Sequence, residues 1–295
     1  MDGLQPFAAG DRFVTASQLD ESARFPTGQG RIVQFDAQWR QRGAHETGRT
    51  GLISALVLDP AGALHALDPQ ARAITSIGPD GRLASHFARL PERAYGSMIA
   101  LPGGEYLLGE HMVGAVPGFS GEGKVYRVTA EGTELAAYDT ETNGGVGGFL
   151  GVTHMALSPD GQTLYHTSET GAHVYAHDLV ANRRLGAVYS RTDPPPFVFG
   201  LALLGNGLLA LACGTELRLV NPQTGEAHPV ALPEGRGWAV AINRGESAGP
   251  GGGQLWLLDF FGGRVAAIDA ETGAVAELKE LGLAKCLTGI AEIPA

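Results

Sequence analysis

Four ionisable side chains in this sequence stand where strand-like segments begin or end: His154, Glu110, His111 and Glu169. A histidine beside carboxylates is equipped for general acid and base chemistry, because the ordinary pKa of an imidazole lies close to neutrality. The same set could instead bind zinc or a similar divalent ion, since two histidines and a carboxylate make a three-ligand site. A third possibility is that each histidine is only held in place by hydrogen bonds. The residues alone leave all three interpretations open.

The elements that must position these residues form an internal repeat. An apolar strand, a Gly-containing turn and three further strands recur at intervals of about 40 to 57 residues. Complete units begin at Leu52, Tyr95, Val152, Val198 and Trp238. The apolar segments are short, partly β-branched or aromatic, and separated by turns such as PDG, PAG and GNG, which favours strands over amphipathic helices.

The two ends of the chain supply a sixth unit. The segments RFVTASQL from Arg12 and RIVQFDAQW from Arg31 match the second and third strands of the repeat, and CLTGIAEI from Cys286 matches the first strand. Neither end can bury its apolar face alone, so pairing them removes exposed sheet edges. We therefore predict an all-β fold: a single six-bladed β-propeller domain over residues 1–295, with four-stranded antiparallel blades, closed by pairing the C-terminal strand with N-terminal strands.

Alignment of the six units on their turns gives one residue of each first strand close to the axis. These residues are Ala55, Ser97, His154, Gly200, Ala239 and Gly289. Small residues are expected where first strands crowd together, so the histidine is the exception. The preceding position includes two large aromatic residues. We predict a small-molecule pocket at the channel mouth, with these members: His154, Glu110, His111 and Glu169 as ionisable groups, and Phe199, Trp238, Thr153 and Ser97 as substrate contacts.

The second strands end in polar residues that include Asp68, Glu110 and Asp259. Side chains at such positions often accept hydrogen bonds from the amides of the next loop, and this is our expectation for Asp68 and Asp259. Glu110 is assigned to the pocket because His111 follows it directly. His65 lies mid-strand and is expected to be a packing residue, while Asp59 belongs to a turn and carries no functional prediction.

The segments LSPDGQTLYHTSETGAHVYAHDL and YLLGEHM resemble blades of the gluconolactonase and senescence-marker-protein family of six-bladed propellers. The resemblance covers most of the chain at the level of blades. In that family a divalent cation, usually calcium, lies in the central channel on a Glu from an EGP-like triplet, two Asn and one Asp. Here the corresponding positions fall on Thr153, near Gly96 and near Phe199, and no EGP triplet occurs. These residues do not supply the oxygen ligands that calcium prefers, so we expect the family's calcium site to be absent.

The bulk composition narrows the class of partner. The formal net charge is -10 and no Lys/Arg cluster stands out, which disfavours binding to nucleic acid or to an anionic membrane. The start MDGLQPFAAGDRF lacks the pattern of a signal peptide, and no apolar run is long enough to cross a bilayer. These features give the expectation of a cytoplasmic protein. The two cysteines, Cys213 and Cys286, are expected to be buried free thiols.

Two functions remain as hypotheses. The first is a gluconolactonase-like enzyme acting on a small, partly apolar substrate, with hydrolysis of a lactone or ester favoured and isomerisation or elimination open. The second is a non-catalytic propeller that binds a small molecule or a protein. The cofactor is unknown, and a divalent ion held by His and Glu is possible.

Overall fold

The computed structural model describes residues 3–19, 28–50, 53–111, 121–141, 151–168, 171–193, 197–235, 237–243, 254–283 and 287–294. Within these ranges the chain forms β-strands and no helix, and the strands make six antiparallel sheets. No helix that could span a membrane occurs in the described part of the chain.

The strands follow the predicted repeat. Blade 1 contains β1 (Arg12–Leu19), β2 (Gly28–Phe35) and β3 (Gln41–Thr50). Blade 2 contains β4 (Ala55–Leu58), β5 (Leu64–Asp68) and β6 (Ala73–Ile77). Blade 3 contains β7 (Tyr95–Ala100), β8 (Glu105–Glu110), β9 (Val125–Thr129) and β10 (Glu134–Tyr138). Blade 4 contains β11 (His154–Leu157), β12 (Thr163–Thr167), β13 (His173–Asp178) and β14 (Arg183–Ser190). Blade 5 contains β15 (Gly200–Leu203), β16 (Leu209–Ala212), β17 (Glu216–Val220) and β18 (Ala227–Ala231). Blade 6 contains β19 (Trp238–Asn243), β20 (Gln254–Asp259), β21 (Arg264–Asp269) and β22 (Val275–Glu280), and β23 (Leu287–Glu292) ends the series.

Closure of the ring occurs through the termini, as the sequence predicts. Strand β23 pairs antiparallel with β1, so blade 1 has the order β23-β1-β2-β3. Strands β23, β4, β7, β11, β15 and β19 each pack against the next, and β19 packs against β23. The first strands therefore line the axis of a closed ring, and the prediction of a six-bladed propeller is confirmed.

The core lies between the faces of neighbouring blades. Phe13, Ile32, Leu64 and Ile77 are fully buried where blade 1 meets blade 2. Burial of both faces explains why the second strands read as nearly continuous apolar runs instead of alternating ones. Cys213 is a buried free thiol, as expected, whereas Cys286 lies outside the described residues.

Blade 2 departs from the four-stranded repeat, and the chain is described without a gap from residue 53 to residue 111. Its sheet has the order β4-β5-β6, and the fourth position holds only a single bridge between Ile77 and Leu83. The chain then crosses to blade 3, where the amides of Phe87 and Arg89 donate to the carbonyls of Ala130 and Glu131, both at 2.8 Å. Phe87 takes a positive φ of 58°, which is unusual for a residue with a side chain. The backbone of this segment is thus used to bridge two blades instead of extending one.

Candidate functional site

His154 is the first residue of β11, on the wall of the central channel, and it pairs with Thr167 at the end of β12. The side chain is half-buried, but its Nε2 atom is buried and has no hydrogen-bond partner among the described residues. Burial lowers the pKa of His154 to about 4 because the charged imidazolium would be poorly solvated. At neutral pH the ring is therefore neutral, and it can accept a proton, a hydrogen bond or a metal ion.

His111 lies beside His154, directly after β8. Its amide donates to the carbonyl of Ala94 at 2.7 Å, and its ring lies over Gly96 on β7. A Cβ atom added at Gly96 would come within 2.5 Å of the His111 ring, so this inner strand needs a glycine at that point. Burial, and to a smaller extent the nearby His154, lowers the pKa of His111 to about 3. The structure thus brings two neutral histidines together between the inner ends of blades 3 and 4.

Glu110 behaves differently from the prediction. Its side chain is buried, and its Oε2 accepts hydrogen bonds from the amides of Glu122 at 2.9 Å and Gly123 at 2.8 Å. Gly121 packs so closely that a Cβ there would lie 2.0 Å from Oε1. This oxygen thereby binds the loop before β9, which is the structural role expected only for Asp68 and Asp259, while the buried Oε1 has no hydrogen-bond partner among the described residues. Both of those aspartates do accept loop amides, from Ala71 and Gly262 respectively.

The hydroxyl groups predicted to contact substrate bond backbone carbonyls instead. Ser97 donates to the carbonyl of Val152 at 2.6 Å, which ties the inner strand of blade 3 to the start of blade 4. Ser54 makes the equivalent link from blade 2 to blade 3, donating to Gly96 at 2.8 Å. Thr153 is buried, and its hydroxyl bonds the carbonyl of Thr167 at 3.3 Å. The two serines therefore link neighbouring blades around the channel, whereas the Thr153 bond lies within blade 4.

The two aromatic residues predicted to line the pocket differ in their exposure. Phe199 occupies the position of Thr153 in the next blade, is half-buried, and lies 5.7 Å from Phe197 between ring centroids. It remains available as an apolar wall. Trp238 is completely buried in the core between blades 5 and 6, and its indole N–H donates to the carbonyl of Pro233 at 2.9 Å. A ring with no exposed surface cannot line a pocket, so Trp238 is a packing residue. Glu169 lies outside the described residues.

A second group of polar residues was not identified as a site from the sequence. Asp59, His65 and His86 each offer one ligand atom, and these atoms lie within 4.8 Å of one another. They meet beyond the end of β4 opposite to Ala55, the counterpart of His154, so they belong to the other face of the ring. The sequence carries a weak indication of this group. Asp59 lies in the turn LDPAG, His65 in the strand segment HALD, and His86 in RLASHF, a stretch that lacks the alternation of a strand.

Comparison with known proteins supports the propeller fold but does not identify a reaction. No protein-family model matches the sequence, and no curated protein matches it. Among solved structures, a virginiamycin B lyase from Staphylococcus aureus superposes with a TM-score of 0.57 at 13% identity, covering 91% of this chain and 88% of that one. A gluconolactonase from Xanthomonas campestris gives 0.55 at 15% identity, covering 87% and 85%. A chain of a nidogen/laminin complex gives 0.66 at 13% identity, covering 96% and 98%. At these identities the similarity establishes the propeller fold.

The residues at the family's calcium positions do not fit that ion. Gly96 lies under the His111 ring, Thr153 has its hydroxyl bonded to a carbonyl, and Phe199 is aromatic. Calcium requires six to eight oxygen ligands, and this set does not provide such a cage. Of the predicted ionisable members of the site, His154 and His111 are the ones that the described residues bring together at the channel mouth.

Proposed function

We propose that this propeller is an enzyme that acts on a small, partly apolar substrate at the channel mouth, with His154 as its general base. The observation that carries the proposal is the buried Nε2 of His154, which has no hydrogen-bond partner among the described residues although it stands at the innermost position of its blade. An unsatisfied buried polar atom costs stability, so its presence is most simply explained by a ligand that completes it.

The chemistry follows from the neutral state of the ring. In the hydrolysis of a lactone or ester, Nε2 takes a proton from a water molecule as the water oxygen forms its bond to the carbonyl carbon. The ester C–O bond then breaks, and the imidazolium returns the proton to the departing alkoxide oxygen. Elimination would use the same base to remove a proton next to the leaving group. The half-buried Phe199 and Phe197 offer an apolar surface for the rest of the substrate.

Two of the structural neighbours are described as enzymes, a gluconolactonase and a lyase for virginiamycin B. Their descriptions support testing ring-opening hydrolysis and elimination first. A lactone built on a simple sugar is less suited to the phenylalanine wall than an aromatic or terpenoid lactone or ester.

The decisive experiment is a thermal-shift and turnover screen of lactones, esters and aromatic acids, followed by His154→Ala. We expect turnover of the best substrate to fall by about 100-fold or more, because general-base catalysis contributes at least that much. The matched control is His228→Ala, an exposed histidine on β18, which should retain full activity. A His154→Ala protein that stays folded and fully active would overturn the proposal. Saturable binding without turnover in the parent protein would identify a non-catalytic propeller.

A further inference from the structure

A second site lies where blade 2 meets blade 3, on the ring face away from His154. His65 on β5 is completely buried, and its Nε2 lies 3.1 Å from Oδ2 of Asp59, while its Nδ1 lies 2.9 Å from the Ser76 hydroxyl. The Tyr106 hydroxyl, from blade 3, donates to the same Asp59 oxygen at 2.7 Å. The third member, His86, comes from the segment that replaces the fourth strand of blade 2, and its Nδ1 is buried without a hydrogen-bond partner among the described residues.

From these residues we propose that Asp59, His65 and His86 bind a divalent transition-metal ion of the zinc type. Two imidazoles and a carboxylate are a ligand set that zinc commonly takes with a water as the fourth ligand. The proposal is independent of the function assigned to the channel mouth.

The spacing of the ligand atoms suits this ion. With metal–ligand bonds of roughly 2.0 to 2.2 Å, tetrahedral ligand atoms stand about 3.3 Å apart. Asp59 Oδ2 and His65 Nε2 are already 3.1 Å apart. Since the three ligand atoms all lie within 4.8 Å of one another, the His86 ring needs to move only a short distance toward the other two ligands. The amide of the next residue, Phe87, is bonded to blade 3, so the movement required is one of the half-buried His86 side chain.

The surroundings also supply the outer hydrogen bonds that metal ligands need. An ionised carboxylate such as Asp59 can only accept hydrogen bonds. In the metal-free state His65 therefore carries its proton on Nε2, and its Nδ1 accepts a hydrogen bond from the Ser76 hydroxyl. When a metal takes Nε2, the proton moves to Nδ1, and the Ser76 hydroxyl turns to accept it. Tyr106 fixes the carboxylate in either state.

The backbone supports the third ligand. Phe87, the residue after His86, holds its positive φ by donating its amide to Ala130 of blade 3, and its ring packs 5.3 Å from His65 and 5.0 Å from Tyr106. Strained backbone of this kind persists where surrounding contacts enforce it, frequently at binding sites. A bound ion would link the irregular segment after β6 to the turn that holds Asp59.

The test uses full-length protein that has been depleted of metal and then titrated with zinc chloride by calorimetry. We expect one tight equivalent and a higher melting temperature with zinc present, since a ligand that binds the native state stabilises it. His86→Ala should weaken binding by at least roughly tenfold, and Tyr106→Phe by about tenfold through the loss of an outer hydrogen bond. His228→Ala should change neither the affinity nor the stoichiometry.

Circular dichroism of metal-free His86→Ala checks that the variant is folded, and His86→Gln replaces it if it is not. Visible absorption after cobalt addition gives a second readout, because tetrahedral cobalt reports its ligands directly. The absence of saturable zinc binding by the parent protein would reduce the cluster to a hydrogen-bond network and overturn the proposal. Unchanged affinity in the folded His86 variant would do so as well.

Discussion

The two histidine groups of this propeller differ in what surrounds them. At the channel mouth, His154 and His111 lie near each other, and both have lost their charge to burial. In blade 2, His65 is completely buried and is hydrogen-bonded on both ring nitrogens, to Asp59 and to Ser76. The comparison shows that burial alone makes a histidine neutral, whereas a carboxylate partner fixes its tautomer and orientation. The first arrangement suits a base that receives a substrate, and the second suits a ligand held for a metal.

The largest expected effect comes from opening the ring, on which both histidine groups depend. Deletion of residues 286–295 removes β23, including the buried Leu287 and Ile290, and leaves β1 and β4 without their neighbour in the ring. We expect loss of cooperative unfolding, because the exposed edge and the lost apolar burial act together. A calorimetric melt and size-exclusion chromatography measure this. A monomeric truncated protein with the parent melting temperature would contradict the closure.

Closure of the ring was accessible from the sequence because CLTGIAEI carries the same apolar pattern as the other first strands. The position of His154 followed equally from the alignment of the turns. The role of Glu110 could not be predicted in this way. Whether its carboxylate faces the channel or the amides of Glu122 and Gly123 depends on how the next loop folds back. His86 was missed for a similar reason: its position results from contacts of the neighbouring Phe87 with blade 3, which no local pattern encodes.

Substitution of one histidine from each group sharpens the comparison. His65→Ala leaves Asp59 and Ser76 short of a buried partner and creates a cavity, so we expect the free energy of unfolding to fall by about 3 kcal/mol. His154→Ala should cost less than about 1 kcal/mol, since the equivalent first-strand positions hold Ala, Ser or Gly. Urea unfolding of both variants in metal-free buffer gives the two values. Equal losses would show that His154 also has a structural partner.

A change at Gly96 tests whether the His111 ring is fixed over the inner strand. Gly96→Ala places a methyl group within 2.5 Å of that ring, so either the ring or the strand must move. We expect a loss of about 1 to 3 kcal/mol, typical of an overpacked core. Gly205→Ala is the matched control, because nothing lies within 4 Å of the added Cβ and the change should be neutral. Urea unfolding distinguishes them, and a neutral Gly96→Ala would mean that the ring is free to swing away.

The last prediction concerns the pH dependence of stability. His154 has a folded pKa of about 4 against an ordinary 6.5, so between these values the unfolded chain binds more protons at this site than the native protein. Stability must therefore fall as the pH is lowered through this window, by at most about 1.4 kcal/mol per pH unit for one histidine. His111 and His166, with pKa values lowered to about 3, contribute in the same direction. His154→Ala should remove only its own share, so the variant should be slightly less stable than the parent protein at pH 7, about equal to it near pH 6, and the more stable of the two at pH 5. If the parent and the variant instead lose stability in parallel, His154 is solvated in the native state, and the basis for treating it as a buried neutral base disappears.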